Sequence, residues 1–171
     1  MAGLPTAAGL RAVRYDHPDV SALVAEVQQE YVRRYGGEDT TPLDAAQFVL
    51  PDGTFLVSYL AGRPVAMGGW RRHVEERDGP VPGDRAAEIK RMYVVPAARG
   101  RGIARALLAE LERTAALAGC DVMVLESGLA QPEALTLYRS AGYTDIAPFG
   151  HYPDEEASVH LAKPLSQPGS A

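Results

Sequence analysis

The sequence predicts a single α/β domain built on a mixed sheet. Its 171 residues suit one ordinary globular domain, and its 46% hydrophobic and 23% charged residues are typical of folded soluble proteins. Segments with strand character alternate with segments of helical periodicity, and residues 87–125 predict a strand, a helix and a second strand parallel to the first. We therefore expect a domain over residues 10–164, between terminal tails at 1–9 and 165–171.

The first half of the chain predicts a strand, two helices and a hairpin. Residues 10–15 have strand character, and Pro18 opens a helix of regularly spaced apolar residues that Gly36 and Gly37 end. Thr41, as a cap, and Pro42 predict the start of a short second helix. Residues 54–60 and 65–72 predict a β-hairpin, and residues 74–85 an exposed loop rich in charge, Pro and Gly.

The second half is more regular. Residues 87–95 predict a strand, and residues 102–118 predict a helix that Gly119 ends. Residues 122–125 are apolar on both faces, as in a parallel strand that is covered on both sides. Pro132 starts a short helix that runs to Ser140, and residues 143–148 and 157–161 predict two final extended stretches.

Charge and composition exclude several classes of function. A net charge of −5 and a pI of about 5.4 leave no basic surface for nucleic acid, which needs clustered Lys and Arg. No apolar run approaches the ~20 residues of a membrane span, and the first residues lack the pattern of a signal peptide. The lone Cys120 forms no internal disulfide, and the four histidines lack zinc-ligand spacing. We expect a cytoplasmic protein with no metal and no membrane partner.

An anion-binding turn connects the predicted strand at 87–95 to the following helix. The first amides of a helix have no intrahelical partner and point outward at the positive end of its dipole. Gly100 and Gly102 let the backbone approach an anion closely, and Arg99, Arg101 and Arg105 surround it with positive charge. The glycines alone are equally compatible with a plain tight turn.

A dinucleotide-binding oxidoreductase is a poor alternative for this turn. Its fingerprint, G-x-G-x-x-G, would require a third glycine where Arg105 stands. Glu126 could imitate the ribose-binding acid of that fold, but too few residues follow it for the remaining parallel strands.

The residues of the turn resemble a known family. Arg99-Gly100-Arg101-Gly102-Ile103-Ala104 is similar to the (Gln/Arg)-x-x-Gly-x-(Gly/Ala) motif of the GNAT superfamily of N-acetyltransferases. Residues 125–128 and 131–143 resemble that family's next strand and its short helix ending in Tyr-x-x-x-Gly-(Phe/Tyr), and residues 149–152 and 158–159 resemble one bacterial branch. The resemblance spans roughly residues 54–164. It implies a mostly antiparallel sheet, flanked by helices and split at the strand that binds acetyl-CoA.

The resemblance implies acetyl-CoA as the cosubstrate. Backbone groups of the strand would bind its pantetheine arm, and the amides of the turn its pyrophosphate. Gln131 stands where many members place an Asn that contacts the cofactor; capping of the following helix is the alternative role. The implied cofactor-binding residues are Met92, Tyr93, Val94, Arg99, Gly100, Arg101, Gly102, Ile103, Ala104 and Gln131.

The implied reaction is direct attack of an amine on the thioester, which requires a base because most amines are protonated at neutral pH. Glu88 matches the glutamate that acts as base in some relatives, although an ion pair with an arginine of a neighbouring strand is equally compatible. Period-two alternation would place Glu88, Lys90 and Met92 on one face of the strand. Glu126 is the alternative base and water the third. Tyr138 matches the tyrosine that protonates the CoA thiolate.

Acidic clusters in predicted loops indicate the kind of acceptor. Residues 38–39, 75–76 and 154–156 would attract an ammonium group on a small molecule or a protein, although charged loops are commonly only solvated. The resemblance implies that the turn of His151 and Tyr152 lines the acceptor side, and His73 lies in the loop after the hairpin; solvated loop positions are the alternative for these residues. A CoA-binding module without turnover is the alternative function. Open sheet edges are compatible with a homodimer.

Overall fold

The computed structural model describes residues 9–151 and 156–169, which form a seven-stranded sheet flanked by helices. The strands are β1 (Leu10–Ala12), β2 (Gly53–Leu60), β3 (Arg63–Arg72), β4 (Ala86–Val94), β5 (Val122–Gly128), β6 (Thr144–Asp145) and β7 (Ser158–Pro164). The helices are α1 (Pro18–Tyr35), α2 (Glu75–Asp78), α3 (Ile103–Leu117) and α4 (Pro132–Ser140), with 3₁₀ turns at Ala45–Phe48 and Pro96–Ala98. No helix in these two ranges combines the length and apolar character of a membrane span.

The sheet is mixed and mostly antiparallel, as predicted. Its strand order is β1-β2-β3-β4-β5-β7-β6, and β4 with β5 is the parallel pair among the strands of the described ranges. A dinucleotide-binding oxidoreductase would need a largely parallel, doubly wound sheet. This topology therefore argues against that alternative.

The sheet splits between β4 and β5. The two strands pair at only three positions, the last joining Glu88 to Val124. Beyond this point β4 continues along β3, whereas β5 continues along β7. From Ile89 onward, the edge of β4 that faces β5 therefore lacks a strand partner in the described chain, and a cleft opens there.

Helices cover both faces of the sheet. Helix α3 packs Leu107 and Leu111 against Trp70 and the apolar side chains of β4 and β5. The N-terminal helix α1 covers the opposite face with a smaller cluster, in which Leu23 packs with the aromatic ring of Phe55. Both helices bury an apolar stripe, so the sheet is packed on each face.

The predicted alternation along β4 is wrong beyond Lys90. Arg91 has a left-handed backbone, with φ of 58°, and the β3–β4 register shifts at this point, so β4 carries a bulge. Because of the extra residue, side chains after Arg91 point to the face opposite to the one that strict alternation predicts. Met92 packs on the α3 side together with Ile89, whereas Lys90 pairs with Glu88 on the other side.

Several local predictions also need correction. The expected helix at Thr41 is a 3₁₀ turn capped by Asp44, because Thr41 instead donates through its amide and hydroxyl to Asp39. The segment 74–85, predicted as a loop, contains α2. The domain boundaries stay predictions. Residues 1–8 and 170–171 of the expected tails lie outside the described residues. At the start of the expected C-terminal tail, the Leu165 amide donates a hydrogen bond to the Asp121 carbonyl.

Candidate active site

Two cavities open along the gap between β4 and β5. The β5 cavity, of about 290 Å³, lies between the end of α1 and the diverging strands. The α3 cavity, of about 350 Å³, lies at the start of α3 and beside α4. Four residues line both cavities: Met92, Gln131, Ala134 and Tyr138. The two cavities therefore adjoin each other at these residues.

The α3 cavity gathers nine of the ten residues predicted to bind the cofactor. Arg101 is the exception, since it is exposed and does not line the cavity. The residues that line it are Met92, Tyr93, Val94, Arg99, Gly100, Gly102, Ile103, Ala104 and Gln131.

The turn before α3 presents a row of backbone donors. Gly100 and Gly102 have left-handed φ values of 76° and 78°, and Gly102 caps α3 without a side-chain hydrogen bond. The amides of residues 100–105 donate to no backbone carbonyl in the described chain. A Cβ at Gly100 would have no heavy atom within 4 Å, so the space above the turn is open. This arrangement fits an anion such as a pyrophosphate.

Arginines beside the turn already have partners. The Arg99 side chain donates to the Val94 carbonyl at 2.9 Å and to both carboxylate oxygens of Glu30. Arg105 donates to the Ser140 hydroxyl at 2.8 Å. An anion in the α3 cavity would therefore compete with Glu30 for Arg99.

The β5 cavity is lined by charged and aromatic side chains, among them Tyr31, Tyr35, Glu38, Lys90 and Glu126. On one side of the cavity, Arg91 on the β4 bulge forms an ion pair with Asp39, in the segment after α1. Burial alone would raise the pKa of Asp39, but Arg91 and Thr41 hold it below its usual value. The segment after α1 is thus fixed against β4.

Glu126 is the candidate base that lines a cavity. Its side chain is 18% exposed. One carboxylate oxygen, Oε1, accepts a hydrogen bond from the Ser158 hydroxyl at 3.0 Å, and the other, Oε2, lies 3.4 Å from Nε2 of His160. Both partners lie on β7.

Glu88 is buried and lines neither cavity. It pairs with Lys90, and one of its oxygens lies 3.6 Å from Arg71 on β3 and 3.8 Å from His73. Burial on its own would raise the pKa of Glu88, but Lys90, His73 and Arg71 outweigh it and keep the pKa below its usual value. Glu88 thus sits in an ion-pair network below the cleft.

The same network brings together His73, Asp78 and Glu88, whose potential metal-ligand atoms lie within 4.8 Å of one another. Arg71 approaches both carboxylates, and Arg77 and Lys90 each pair with one of them. The negative charge is therefore already compensated by side chains. The approach of Arg71 to Glu88 agrees with the predicted alternative of an ion pair with an arginine of a neighbouring strand. Sequence reasoning missed His73 and Asp78, because their place in the network depends on how the segment after β3 folds back.

Tyr138 lies at the junction of the two cavities. It is buried on α4, and its ring makes an edge contact with Tyr143 at 5.7 Å. Burial raises the pKa of its hydroxyl well above the usual value. The hydroxyl forms no hydrogen bond with the residues of ranges 9–151 and 156–169, so it is available to a bound molecule.

Gln131 does not act as the side-chain cap of α4. It occupies the N-cap position without capping through its side chain. Its amide oxygen instead accepts a hydrogen bond from the Tyr35 hydroxyl at 3.3 Å, which connects α1 to α4 across the cleft. In this position the Tyr35 hydroxyl occupies the space that a Cβ at Gly128 would take.

Other residues singled out in the sequence lie away from the cavities. Cys120 is buried, and burial raises the pKa of its thiol. His151 is exposed and contacts Thr40 through its ring at 3.3 Å. Tyr152 and residues 154–155 lie outside the described residues.

Comparison with known proteins assigns this arrangement to a family. The family model of the acetyltransferase (GNAT) family matches residues 24–143. The chain belongs to this family. It is therefore an acetyltransferase of the GNAT class, a family that uses acetyl-CoA.

Individual GNAT relatives cover almost the whole chain. A protein from Azospirillum brasilense described as an IAA acetyltransferase is 35% identical over 146 residues, which are 85% of this chain and 90% of the relative. The structure of a Klebsiella pneumoniae protein described as an acyl-CoA N-acyltransferase is 27% identical, with a TM-score of 0.70 and coverage of 92% of this chain and 97% of that one. A Salmonella typhimurium acetyltransferase solved with acetyl-CoA shares the fold at 19% identity, with a TM-score of 0.65 and coverage of 95% and 97%.

Proposed function

We propose that this GNAT enzyme transfers an acetyl group from acetyl-CoA directly to a primary amine, with Glu126 as the base and Tyr138 as the acid. The observation that carries the proposal is the meeting of the two cavities. One contains the anion-binding turn, the other contains Glu126, and Tyr138 lies where they join. A thioester at this junction would be open to attack from the β5 cavity.

The α3 cavity has the features that CoA requires. The unpaired amides of residues 100–105 would hold the pyrophosphate, and the open space above Gly100 leaves room for it. The unpaired edge of β4 at Met92, Tyr93 and Val94 would take the pantetheine arm as an added strand. Gln131 lies beside both cavities and would contact the same arm.

Glu126 suits the role of base because its carboxylate lines the cavity. An alkyl ammonium has a pKa of about 10.4 and must lose a proton before its nitrogen attacks the thioester carbonyl. Glu126 would accept this proton, directly or through one water. The C–N bond forms, the C–S bond breaks, and the departing thiolate takes a proton from the Tyr138 hydroxyl. The nitrogen loses its second proton as the amide forms, and that proton, passed through solvent, restores the Tyr138 hydroxyl. Because a thiol has a pKa of only about 8.5, the thiolate can leave without a proton donor, and Tyr138 would assist this step without being essential for it.

The β5 cavity favours a cationic acceptor. Its two cations already have carboxylate partners, because Lys90 pairs with Glu88 and Arg91 pairs with Asp39. Glu126 has no Lys or Arg partner within the described ranges and is left to meet an ammonium group. The acceptor would be a small-molecule amine or an amine of a protein.

The experiment is release of free thiol from acetyl-CoA across a panel of primary amines. We expect turnover with at least one amine, and thermal stabilisation by acetyl-CoA but not by NAD. Stabilisation without thiol release from any amine would instead indicate a CoA-binding module without turnover.

Two matched substitutions test the base with the amine that turns over. Glu126→Gln should lower kcat by about 100-fold or more, the usual contribution of general base catalysis, with little change in KM for acetyl-CoA. Glu88→Gln should lower the melting temperature and preserve the pH dependence of kcat. The reverse pattern would make Glu88 the base.

A further inference from the structure

Strand β7 holds both oxygens of the Glu126 carboxylate. Glu126 and His160 are direct partners in the β5–β7 register, and Ser158 lies two residues before His160 on β7. The Ser158 hydroxyl donates to Oε1 at 3.0 Å, and Nε2 of His160 lies 3.4 Å from Oε2. Strand β7 therefore contacts both carboxylate oxygens, through Ser158, which also lines the β5 cavity, and through the buried His160.

The His160 ring has little freedom to turn. The residue is 4% exposed, and its ring makes an edge contact with Phe149 at 5.1 Å. Phe149 is itself buried and contacts His73 on its other side at 5.5 Å. Packing thus fixes the direction in which Nε2 points.

The Nε2 atom of His160 is buried and has no full hydrogen bond to any described residue. A buried polar atom without a partner is costly, so Nε2 favours an acceptor within reach, and Oε2 of Glu126 lies 3.4 Å from it. Contacts of this kind in ligand-free enzymes are commonly long and tighten when substrate binds.

We infer that His160 is a positioning residue for Glu126. Its Nε2–H holds Oε2 while Ser158 holds Oε1, so the carboxylate keeps one orientation toward the acceptor. His160 only donates this hydrogen bond; the proton from the ammonium goes to Glu126 and then to solvent. The inference rests on the proposed role of Glu126 as the base.

Two substitutions separate the hydrogen bond from the packing. The side-chain nitrogen of glutamine lies as many bonds from Cβ as Nε2 of histidine, so His160→Gln can still donate to Glu126. His160→Leu fills the space without a donor. We expect His160→Leu to lower kcat about tenfold or more, and His160→Gln to stay within about threefold of the native enzyme, both with an unchanged KM for acetyl-CoA.

A double-mutant cycle provides a readout that a structural role would not change. In the Glu126→Gln background, His160→Leu should cause no further loss of kcat, because the group that it positions is gone. The matched control is His73→Gln, which alters the other imidazole on Phe149 and should leave kcat unchanged. If His160→Leu does not fold, His160→Asn replaces it, since its shorter amide cannot reach Oε2.

The outcomes distinguish this inference from the proposed function. Equal losses of kcat in the Leu and Gln variants, no loss in either, or the same loss in the Glu126→Gln background would overturn the role of His160. Full activity of Glu126→Gln alone would overturn the base itself and, with it, this inference.

Discussion

Arg99 and Glu30 form an ion pair in the wall of the α3 cavity, with Nη2 of Arg99 at 3.2 and 3.1 Å from the two carboxylate oxygens. Glu30 also accepts a hydrogen bond from Arg34 at 3.0 Å, and Arg34 donates to Glu133 on α4 at 2.7 Å. The chain of charges connects α1 to the anion-binding turn and to α4. The positive charge of Arg99 is partly neutralised by Glu30, so Arg99 would attract a pyrophosphate at the turn less strongly than an unpaired arginine.

Removing the charge of Glu30 should therefore tighten acetyl-CoA binding. We expect Glu30→Gln to lower the Kd for acetyl-CoA about two- to fivefold, the scale of one partly exposed ion pair, because Arg99 becomes free to meet the phosphates. Calorimetric titration measures the change. Glu110→Gln is the matched control, since Glu110 pairs with Arg113 on the exposed side of α3 and lines neither cavity. A higher Kd in Glu30→Gln would show instead that Glu30 promotes acetyl-CoA binding by holding Arg99 in place.

Gly100 should contribute to acetyl-CoA binding because it lacks a side chain, in addition to allowing a left-handed backbone. Gly100 and Gly62 both have φ of 76°, and a Cβ at either would meet no heavy atom within 4 Å. Alanine at either position should cost a similar ~1–2 kcal/mol of folding stability, because both force a left-handed backbone. Only Gly100→Ala should also weaken acetyl-CoA, about tenfold, since its methyl would stand between the amides and the phosphate. Equal Kd values in the two variants would argue against an anion at the turn.

The parts of the site that sequence could predict are those encoded in one short segment. Gly100, Gly102 and the start of α3 are adjacent in the chain, so their spacing alone indicates an anion-binding turn. The apolar run at residues 122–125 likewise predicts a parallel strand, because burial on both faces leaves a local pattern.

The parts that sequence could not predict depend on contacts between distant segments. The sequence left Glu88 either as a base or as the partner of an arginine on a neighbouring strand; only the packing of β3 against β4 identifies that arginine as Arg71 and adds His73. The Arg91 bulge reversed the faces of β4 without any glycine to mark it. His160 is a plain strand residue until the β5–β7 register places it opposite Glu126.

Tyr138 should contribute to turnover through its hydroxyl. Because burial raises its pKa, the phenol stays protonated across the working pH range and can donate to a thiolate. We expect Tyr138→Phe to lower kcat about tenfold, with KM for acetyl-CoA nearly unchanged, in steady-state assays with a responsive amine. Tyr143→Phe is the matched control: its ring contacts Tyr138, but its hydroxyl donates to Glu112 at 3.0 Å, so stability should fall and kcat should not. Equal kcat losses in both variants would indicate packing alone.

His73 should make the stability of the fold depend on pH. Burial alone would lower its pKa, but Glu88, the Gly79 carbonyl and Asp78 together hold the pKa above its usual value of 6.5. A histidine that binds a proton more tightly in the folded state stabilises the fold fully below the unfolded pKa, and this contribution is lost as pH rises through the folded pKa.

The difference in melting temperature between the native protein and His73→Gln should therefore be constant below about pH 6.5 and shrink above it. For a chain of this size, each kcal/mol corresponds to about 2–4 °C, which thermal unfolding followed by circular dichroism resolves. Taking the difference between the two proteins cancels the titration of groups that they share. A difference that stayed constant from pH 5 to 9, or that grew with rising pH, would show that His73 is not held in its protonated form by Glu88 and Asp78.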